Sequence, residues 1–403
     1  MKPLPPRIEP VAVVAQGLAC ATGMGLPALA QALRDGRAAL HPNAFTCVPL
    51  PTWLGTVTGL DDARLPAPLT RWDCRATRLA WLGLQADDFI GAAQAACRRH
   101  GAARVGLVLG TSTSTIGASE LAYRTLAADG GFPPALRSEE LNAMHAVTAF
   151  VAEVLGLQGP SVTVSTACSS SAKAFAQAER WLRLNLADAV VVAGVDALCE
   201  SVLFGFNALG LVSPEPCRPF GAERRGISVG EAAGYALLER GAGAEWLLLG
   251  HGESNDAHHM SSPHPQGLGA ELALDAALAR AGIGTAEIGY LNLHGTASLR
   301  NDEVEAALVT RRYAVDVHAS ATKGVTGHTM GAAGIVEALV CSLALREDLC
   351  AGSVASTPVD TAMGPLFAKQ LQPLARTRAI DIAVSHSFGF GGNNAVLVFG
   401  RGR

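Results

Sequence analysis

Val162-Thr-Val-Ser-Thr-Ala-Cys-Ser-Ser-Ser171 passes from a β-branched run directly into a helical pattern, and a cysteine sits at the changeover. Val162, Thr163 and Val164 favour an extended strand, whereas Ala172, Phe175, Ala176 and Leu182 recur at helical spacing. Cys168 is therefore expected at a strand-to-helix junction, with its sulfur facing the positive end of a helix dipole. The thiolate is the reactive form of cysteine, and a helix N-terminus lowers a thiol pKa. An exposed helix end contributes only about 0.3 to 1 kcal/mol, and one pKa unit requires about 1.4 kcal/mol, so the dipole alone cannot ionise a thiol of pKa about 8.5. A nucleophilic Cys168 needs a base or cation from elsewhere in the chain. Without one it is a small buried apolar residue, the commoner fate of a free cysteine.

Strands and helices alternate on either side of this junction. A strand over 11–15 is followed by a turn at Gly17, Gly23 and Gly25 and a helix over 26–33. A helix is expected over 79–97, a buried strand over 104–109 leading into the small-residue loop 110–117, a weak helical pattern over 119–140 and an amphipathic helix over 141–155. From Trp246 the same kind of organisation starts again. A strand over 291–293 delivers His294-Gly-Thr-Ala-Ser298, and Ala321-Thr-Lys-Gly-Val-Thr-Gly-His-Thr-Met-Gly-Ala-Ala-Gly334 opens an Ala-rich helix through Glu337. A strand over 382–384 leads into His386-Ser-Phe-Gly-Phe-Gly-Gly-Asn-Asn394. The pattern predicts an α/β fold of two loosely similar units, 1–245 carrying the cysteine and 246–403 carrying the histidines.

The bulk composition agrees with extensive buried layers: 49% of residues are hydrophobic and only 16% charged. A formal charge of -4 gives no general attraction for nucleic acid or anionic lipid. The 9 cysteines are scattered and form no CxxC pair, which points to a reduced, cytoplasmic protein without disulfides or structural zinc. No apolar run is long enough for a spanning helix, so no membrane insertion is expected.

Three loops carry the reactive side chains Cys168, His294 and His328, each flanked by Gly, Ala and Thr that admit a close substrate and present backbone N–H groups. Lys323 could orient His328 or hold positive charge near a thiolate. The glycines of 389–392 let a backbone loop approach a substrate and offer N–H groups to an oxyanion. The basic cluster Arg64, Arg71, Arg75 and Arg78 reads either as a solvated helix start or as a docking patch for an acidic partner. His251, His258, His259 and His264 lack acidic or thiolate ligands at an orderly spacing and read as loop polarity, so no metal is expected.

These motifs together resemble the β-ketoacyl-acyl carrier protein synthases of the thiolase-like superfamily: TACSSS around Cys168, CRPF at 217–220, HGTAS at 294–298, TKGVTGHTMGAAG at 322–334 and SFGFGGNN at 387–394. The resemblance implies a five-layered αβαβα fold of two pseudo-repeated halves, in a homodimer or a heterodimer with a related ketosynthase or chain-length factor. It implies that Cys168 takes an acyl chain from an acyl carrier protein, and that His294 and His328 promote decarboxylation of malonyl-carrier protein for a two-carbon elongation. Cys168 and Phe388 would supply the oxyanion N–H groups, with Phe388 also the gating phenylalanine beside Gly389. Lys323 and Glu337 would support His328, and Thr296 and Ser298 would contact the phosphopantetheine arm. That arm arrives on the carrier, and no cofactor of the enzyme's own is implied.

Departures from the pattern are Ser298 for a usual threonine, His386 for an asparagine before SFGFGG, and Gly221 for an acidic residue after RPF. CRPF, GGNN and Cys74-Arg-Ala-Thr-Arg78 resemble ketosynthases of aryl polyene pigment clusters. The competing reading is a non-catalytic chain-length-factor partner, which typically lacks the cysteine that this chain has.

Overall fold

The computed structural model describes residues 4–126, 130–132, 140–241 and 243–402. Two mixed sheets form its frame. The first runs, from edge to edge, Gly23–Met24, Val11–Cys20, Ala232–Arg240, Ala189–Asp196, Val105–Gly110 and Ser161–Val164. The second runs His318–Ser320, Tyr290–Asn292, Ile382–Gly389, Asn393–Arg401 and Trp246–Asn255. Every strand of the first sheet precedes residue 241 and every strand of the second follows residue 245.

Strand periodicity explains how five layers arise. Successive side chains of a strand face opposite sides, and in Ala189–Asp196 the residues Val190 and Val192 enter a central core while Val191 and Val195 enter an outer one. In Asn393–Arg401, Leu397 and Phe399 face the same central core, and Val396 and Val398 face a third. The outer layers are helices such as Phe89–His100 and Ala146–Leu155 on the first sheet, and Leu268–Ala281 and Leu299–Arg312 on the second. The central layer consists of the helices Ser170–Arg183 and Ala333–Glu347. Residues 333–345 are all buried, the state expected of a helix that is apolar on every side.

The two central helices meet at their N-termini. Gly334 leaves no room for a side chain, since a Cβ there would lie 2.4 Å from the Ala172 backbone nitrogen. Alongside, the Ile335 N–H donates to Ser171 Oγ at 2.9 Å. This crossing places Cys168, just before one helix, next to His328, just before the other.

Three expectations are modified. The helix over 79–97 is two helices, Arg75–Gln85 and Phe89–His100, separated by Asp87 and Asp88 in left-handed conformation. The break turns the Asp87 carboxylate toward the Leu26 N–H, which it accepts at 3.1 Å. The first strand extends to Cys20 because it pairs with Ala232–Arg240 throughout. The weak pattern over 119–140 contains the end of the helix Ile116–Arg124, while 127–129 and 133–139 lie outside the described residues. Among the described residues, no helix is long and apolar enough to cross a membrane.

Gly334→Ala is expected to destabilise the protein by about 1–3 kcal/mol through overpacking against Ala172. The midpoint of denaturant unfolding measures it, and an unchanged midpoint would show that the helices separate without cost.

Candidate active site

Cys168 follows Ala167, which is held at φ 53, and precedes the helix Ser170–Arg183. Left-handed backbone at a residue other than glycine costs about 1–3 kcal/mol and persists only where the surroundings enforce it. The other two reactive loops share the feature, with Ala297 at φ 66 and Met330 at φ 54. Each loop therefore aims its side chain by a locally strained turn.

The three side chains converge. One ligating atom from each of Cys168, His294 and His328 lies within 4.8 Å of the others, and all three residues are buried. The Cys168 Sγ is 3.0 Å from His328 Nε2, and the Phe390 N–H also points at the sulfur. His294 stands perpendicular to His328 at a ring separation of 5.4 Å. The cluster forms the floor of a cavity of about 510 Å³, whose wall includes Thr296, Ser298, Phe388, Gly389 and Phe390. The Thr296 and Ser298 hydroxyls bond each other at 2.9 Å.

Burial dominates the electrostatics. It pushes the Cys168 thiol up to about 12, outweighing the Lys323 ammonium and the Phe390 N–H that favour the thiolate. Burial, assisted by Lys323, holds both imidazoles well below the usual histidine range. The resting site thus contains a thiol and two neutral imidazoles, with Lys323 as the cation beside them. The ion pair of Lys323 with Glu337 is almost fully buried.

Lys323 hydrogen-bonds His294, whereas on His328 it acts through its charge. Its Nζ, projecting from the first turn of the short helix Lys323–Thr326, donates to the His294 carbonyl oxygen and lies 3.4 Å from His294 Nδ1. An ammonium only donates, so Nδ1 accepts and the ring proton lies on Nε2, facing the cavity. Glu337 bonds Lys323 and Ser387 Oγ and does not bond His328.

Phe388 is also reassigned. It remains in the strand Ile382–Gly389, opposite Asn394, with its ring against His294 at 5.9 Å. The chain leaves the sheet only after Gly389, so the N–H beside the sulfur belongs to Phe390, two residues on. The Phe390 ring rests edge-on against Phe206 at 5.7 Å.

Three members of the basic cluster pair with carboxylates of their own chain, and Arg64 donates to the backbone carbonyls of Asp61 and Ala63. Arg75 pairs with the fully buried Glu231 and with Asp61, Arg78 pairs with Asp73, and Arg71 pairs with Glu153. Arg75 in particular anchors Glu231, which also accepts the Val57 and Leu198 N–H groups. Of the second-half histidines singled out, His251 is buried against Glu179, whereas His259 and His264 accept from their own loop. His386 lies buried behind His294, and Gly221 turns back to bond the Arg218 carbonyl.

Sequence reasoning missed two acids that shape the site. Asp196 accepts from the Thr111 hydroxyl at 2.6 Å, the Ser112 N–H at 2.8 Å and the Gly331 N–H at 2.6 Å, linking the 110–117 loop to the His328 loop. Glu305 accepts the His294 and Gly295 N–H groups, each at 2.8 Å. Their helix or strand positions carry no local signal. A carboxylate at the end of the apolar strand 189–196 was the one available hint.

A thiol and two neutral imidazoles, drawn from two similar halves onto the floor of one cavity in a five-layered α/β molecule, define a condensing enzyme of thiolase type. Residues 76–244 match the beta-ketoacyl synthase N-terminal domain and residues 247–356 its C-terminal domain. The chain is 32% identical over 407 residues to Nodulation protein E of Rhizobium meliloti (strain 1021), covering 96% of this chain and 98% of the relative. It is 38% identical over 263 residues to 3-oxoacyl-[acyl-carrier-protein] synthase 2 of the same strain, covering 61% and 62%. Among solved structures, the ketosynthase ApeO in complex with its chain length factor ApeC from Xenorhabdus doucetiae superposes with a TM-score of 0.87 at 34% identity over 98% of both chains. The chain belongs to the β-ketoacyl synthase family, whose members are acyl-transferring enzymes.

A thiol raised to about 12 is deprotonated progressively across the whole accessible pH range. Alkylation of Cys168 by iodoacetamide is therefore expected to accelerate about tenfold per pH unit between about pH 6 and about pH 9. A plateau near neutrality would reveal a stable thiolate instead. Separately, Arg75→Ala should destabilise the fold by at least about 2 kcal/mol by stranding Glu231, whereas Arg71→Ala and Arg78→Ala should each cost less than about 1 kcal/mol. Thermal unfolding of the three variants checks the contrast.

Proposed function

We propose that the chain is an elongating β-ketoacyl-acyl carrier protein synthase. The observation that carries this reading is the 3.0 Å contact between the Cys168 thiol and the neutral His328 Nε2, with the His294 Nε2–H directed into the same cavity. In the first half-reaction His328 takes the S–H proton as sulfur attacks the acyl thioester, and the proton passes to the departing pantetheine sulfur. The N–H groups of Cys168 and Phe390 receive the oxyanion. In the second half-reaction, malonyl-carrier protein binds with its thioester oxygen toward His294 and His328. As carbon dioxide leaves, the electron pair of the broken C–C bond develops enolate charge on that oxygen, and the His294 Nε2–H stabilises it. The enolate carbon then attacks the acyl-Cys168 thioester and expels the cysteine sulfur as a thiolate, which takes a proton from solvent to restore the thiol, giving a β-ketoacyl chain two carbons longer.

Lys323 and Glu337 are positioning residues in this scheme: the ammonium fixes the His294 tautomer and the carboxylate holds the ammonium. Thr296 and Ser298 face the cavity where the phosphopantetheine arm would lie, and Phe390, braced by Phe206, is the gate. The enzyme needs no cofactor of its own beyond the arm on its carrier. Among the described residues, the cluster of side chains that could hold a metal is the catalytic one.

A dimer is part of this reading. Among the described residues, Ser161–Val164 pairs with a strand along one side only, Val105–Gly110, and its other edge would pair with a related subunit. The likeness to the ApeO–ApeC pair supports a chain-length factor as that subunit and an aryl polyene precursor as the growing chain. A soluble cytoplasmic setting fits nine free cysteines. The reading as a non-catalytic partner is disfavoured by the complete Cys-His-His set.

Incubation with an acyl-carrier protein is expected to add one acyl mass to the intact chain, and Cys168→Ala to abolish the addition. Failure with saturated and polyunsaturated carriers alike would remove the elongating role. His294→Ala should still acylate while losing about a hundredfold or more in malonyl-carrier decarboxylation, and normal decarboxylation would refute its assignment.

A further inference from the structure

Behind His294, and outside the cavity, lies a fully buried line of polar groups. The Tyr313 hydroxyl is 2.7 Å from His386 Nε2, and His386 Nδ1 is 3.1 Å from Glu305 Oε1. Glu305 in turn accepts the main-chain N–H groups of His294 and Gly295. The three side chains come from the helix Leu299–Arg312, from Tyr313 directly after it and from the strand Ile382–Gly389. His386 and the Glu305 carboxylate are each 0% exposed, so no water competes for these bonds.

Donor and acceptor roles follow from chemistry. Burial pushes the Tyr313 phenol well above its ordinary range, so it keeps its proton. The hydroxyl then donates to Nε2, the ring proton occupies Nδ1, and Nδ1–H donates to Glu305. Glu305 receives three N–H donors, and every ring and hydroxyl atom in the line is satisfied. An asparagine at 386 could reach one neighbour and not both, because its amide lacks the span of an imidazole bridging from Tyr313 to Glu305.

His386 also touches the other side of the catalytic imidazole. Its ring packs on Phe388 at 5.1 Å, and Phe388 packs on His294 at 5.9 Å. One side chain therefore restrains His294 twice, through Glu305 at the backbone and through Phe388 at the ring. Lys323 restrains the remaining atom, Nδ1.

We propose that His386 is a positioning residue for His294, which bridges Tyr313 to Glu305 and thereby sets the geometry for decarboxylation without touching substrate. The inference rests on the ketosynthase reading and deepens it. It predicts a loss confined to the half-reaction that uses the His294 N–H. Misplacement of a catalytic group by about 1 Å can cost about a hundredfold, so His386→Leu is expected to lower kcat for malonyl-carrier decarboxylation between about ten- and a hundredfold, with KM and the rate of Cys168 acylation changed less than about twofold.

The experiment measures both half-reactions on the full-length protein, acylation by intact mass and decarboxylation by carbon dioxide release. Tyr313→Phe, which removes one oxygen and keeps the ring, is expected to show the same split at about threefold. It decides the matter if His386→Leu does not fold. Equal losses in both half-reactions, or no loss in either, would overturn the positioning role and leave His386 as packing. Wild-type protein that accepts no acyl group would instead overturn the ketosynthase reading, and this inference with it.

Discussion

The site depends on the close approach of two helix N-termini. Ala172 and Gly334 meet with no space for another carbon, and Ser171 Oγ accepts the Ile335 N–H across the contact. Cys168 and His328 lie at the ends that this crossing brings together. Each residue is useless to the other at a separation a few ångströms larger, since proton transfer requires hydrogen-bond reach. The small residues after Cys168 and before Ile335 are thus a geometric requirement of the chemistry, and packing density in the central core holds the distance.

The same packing sets the charge state. A helix dipole is a weak lever on a thiol, whereas complete burial is a strong one, and here burial wins by raising Cys168 to about 12. A nucleophile kept as a thiol is protected from adventitious alkylation and releases its proton only when a base is aligned with it. The histidines are held neutral by the same desolvation and by Lys323, so they can accept or donate hydrogen bonds as required. Lys323 in turn is stabilised by Glu337, a carboxyl that burial raises to about 7 despite the ammonium beside it. The ion pair and the neutral triad are parts of one low-dielectric arrangement.

Buried carboxylates hold the loops around that arrangement. Asp196 gathers the 110–117 loop and Gly331, Glu305 gathers His294 and Gly295, and Asp302 accepts the Phe220 N–H at 2.7 Å and the Ala297 N–H at 3.2 Å. Loops with strained residues such as Ala167, Ala297 and Met330 require this kind of external enforcement. Backbone N–H groups left unpaired in such an interior would each cost about 1–3 kcal/mol, and the acids remove that cost while fixing the loop path.

The amino-acid sequence by itself determined the alternation of elements, the junction at Cys168 and the five motifs, because periodicity and loop composition are local properties. It also marked His294 and His328, since their glycine- and alanine-rich surroundings are visible along the chain. Only the tertiary structure decided which groups touch. Lys323 is five residues from His328 in the chain yet bonds His294, which is 29 residues away, because both are brought together by the packed layers. Phe388 and Phe390 are alike in sequence, and the point where the strand ends at Gly389 separates the ring that packs on His294 from the N–H that faces the sulfur. Arg71, Arg75 and Arg78 form a basic run on paper, but each meets an acid distant or near in sequence and is neutralised. Ionic and hydrogen-bond partners far apart in the chain leave no periodic trace, so their pairing exists only once the layers have packed.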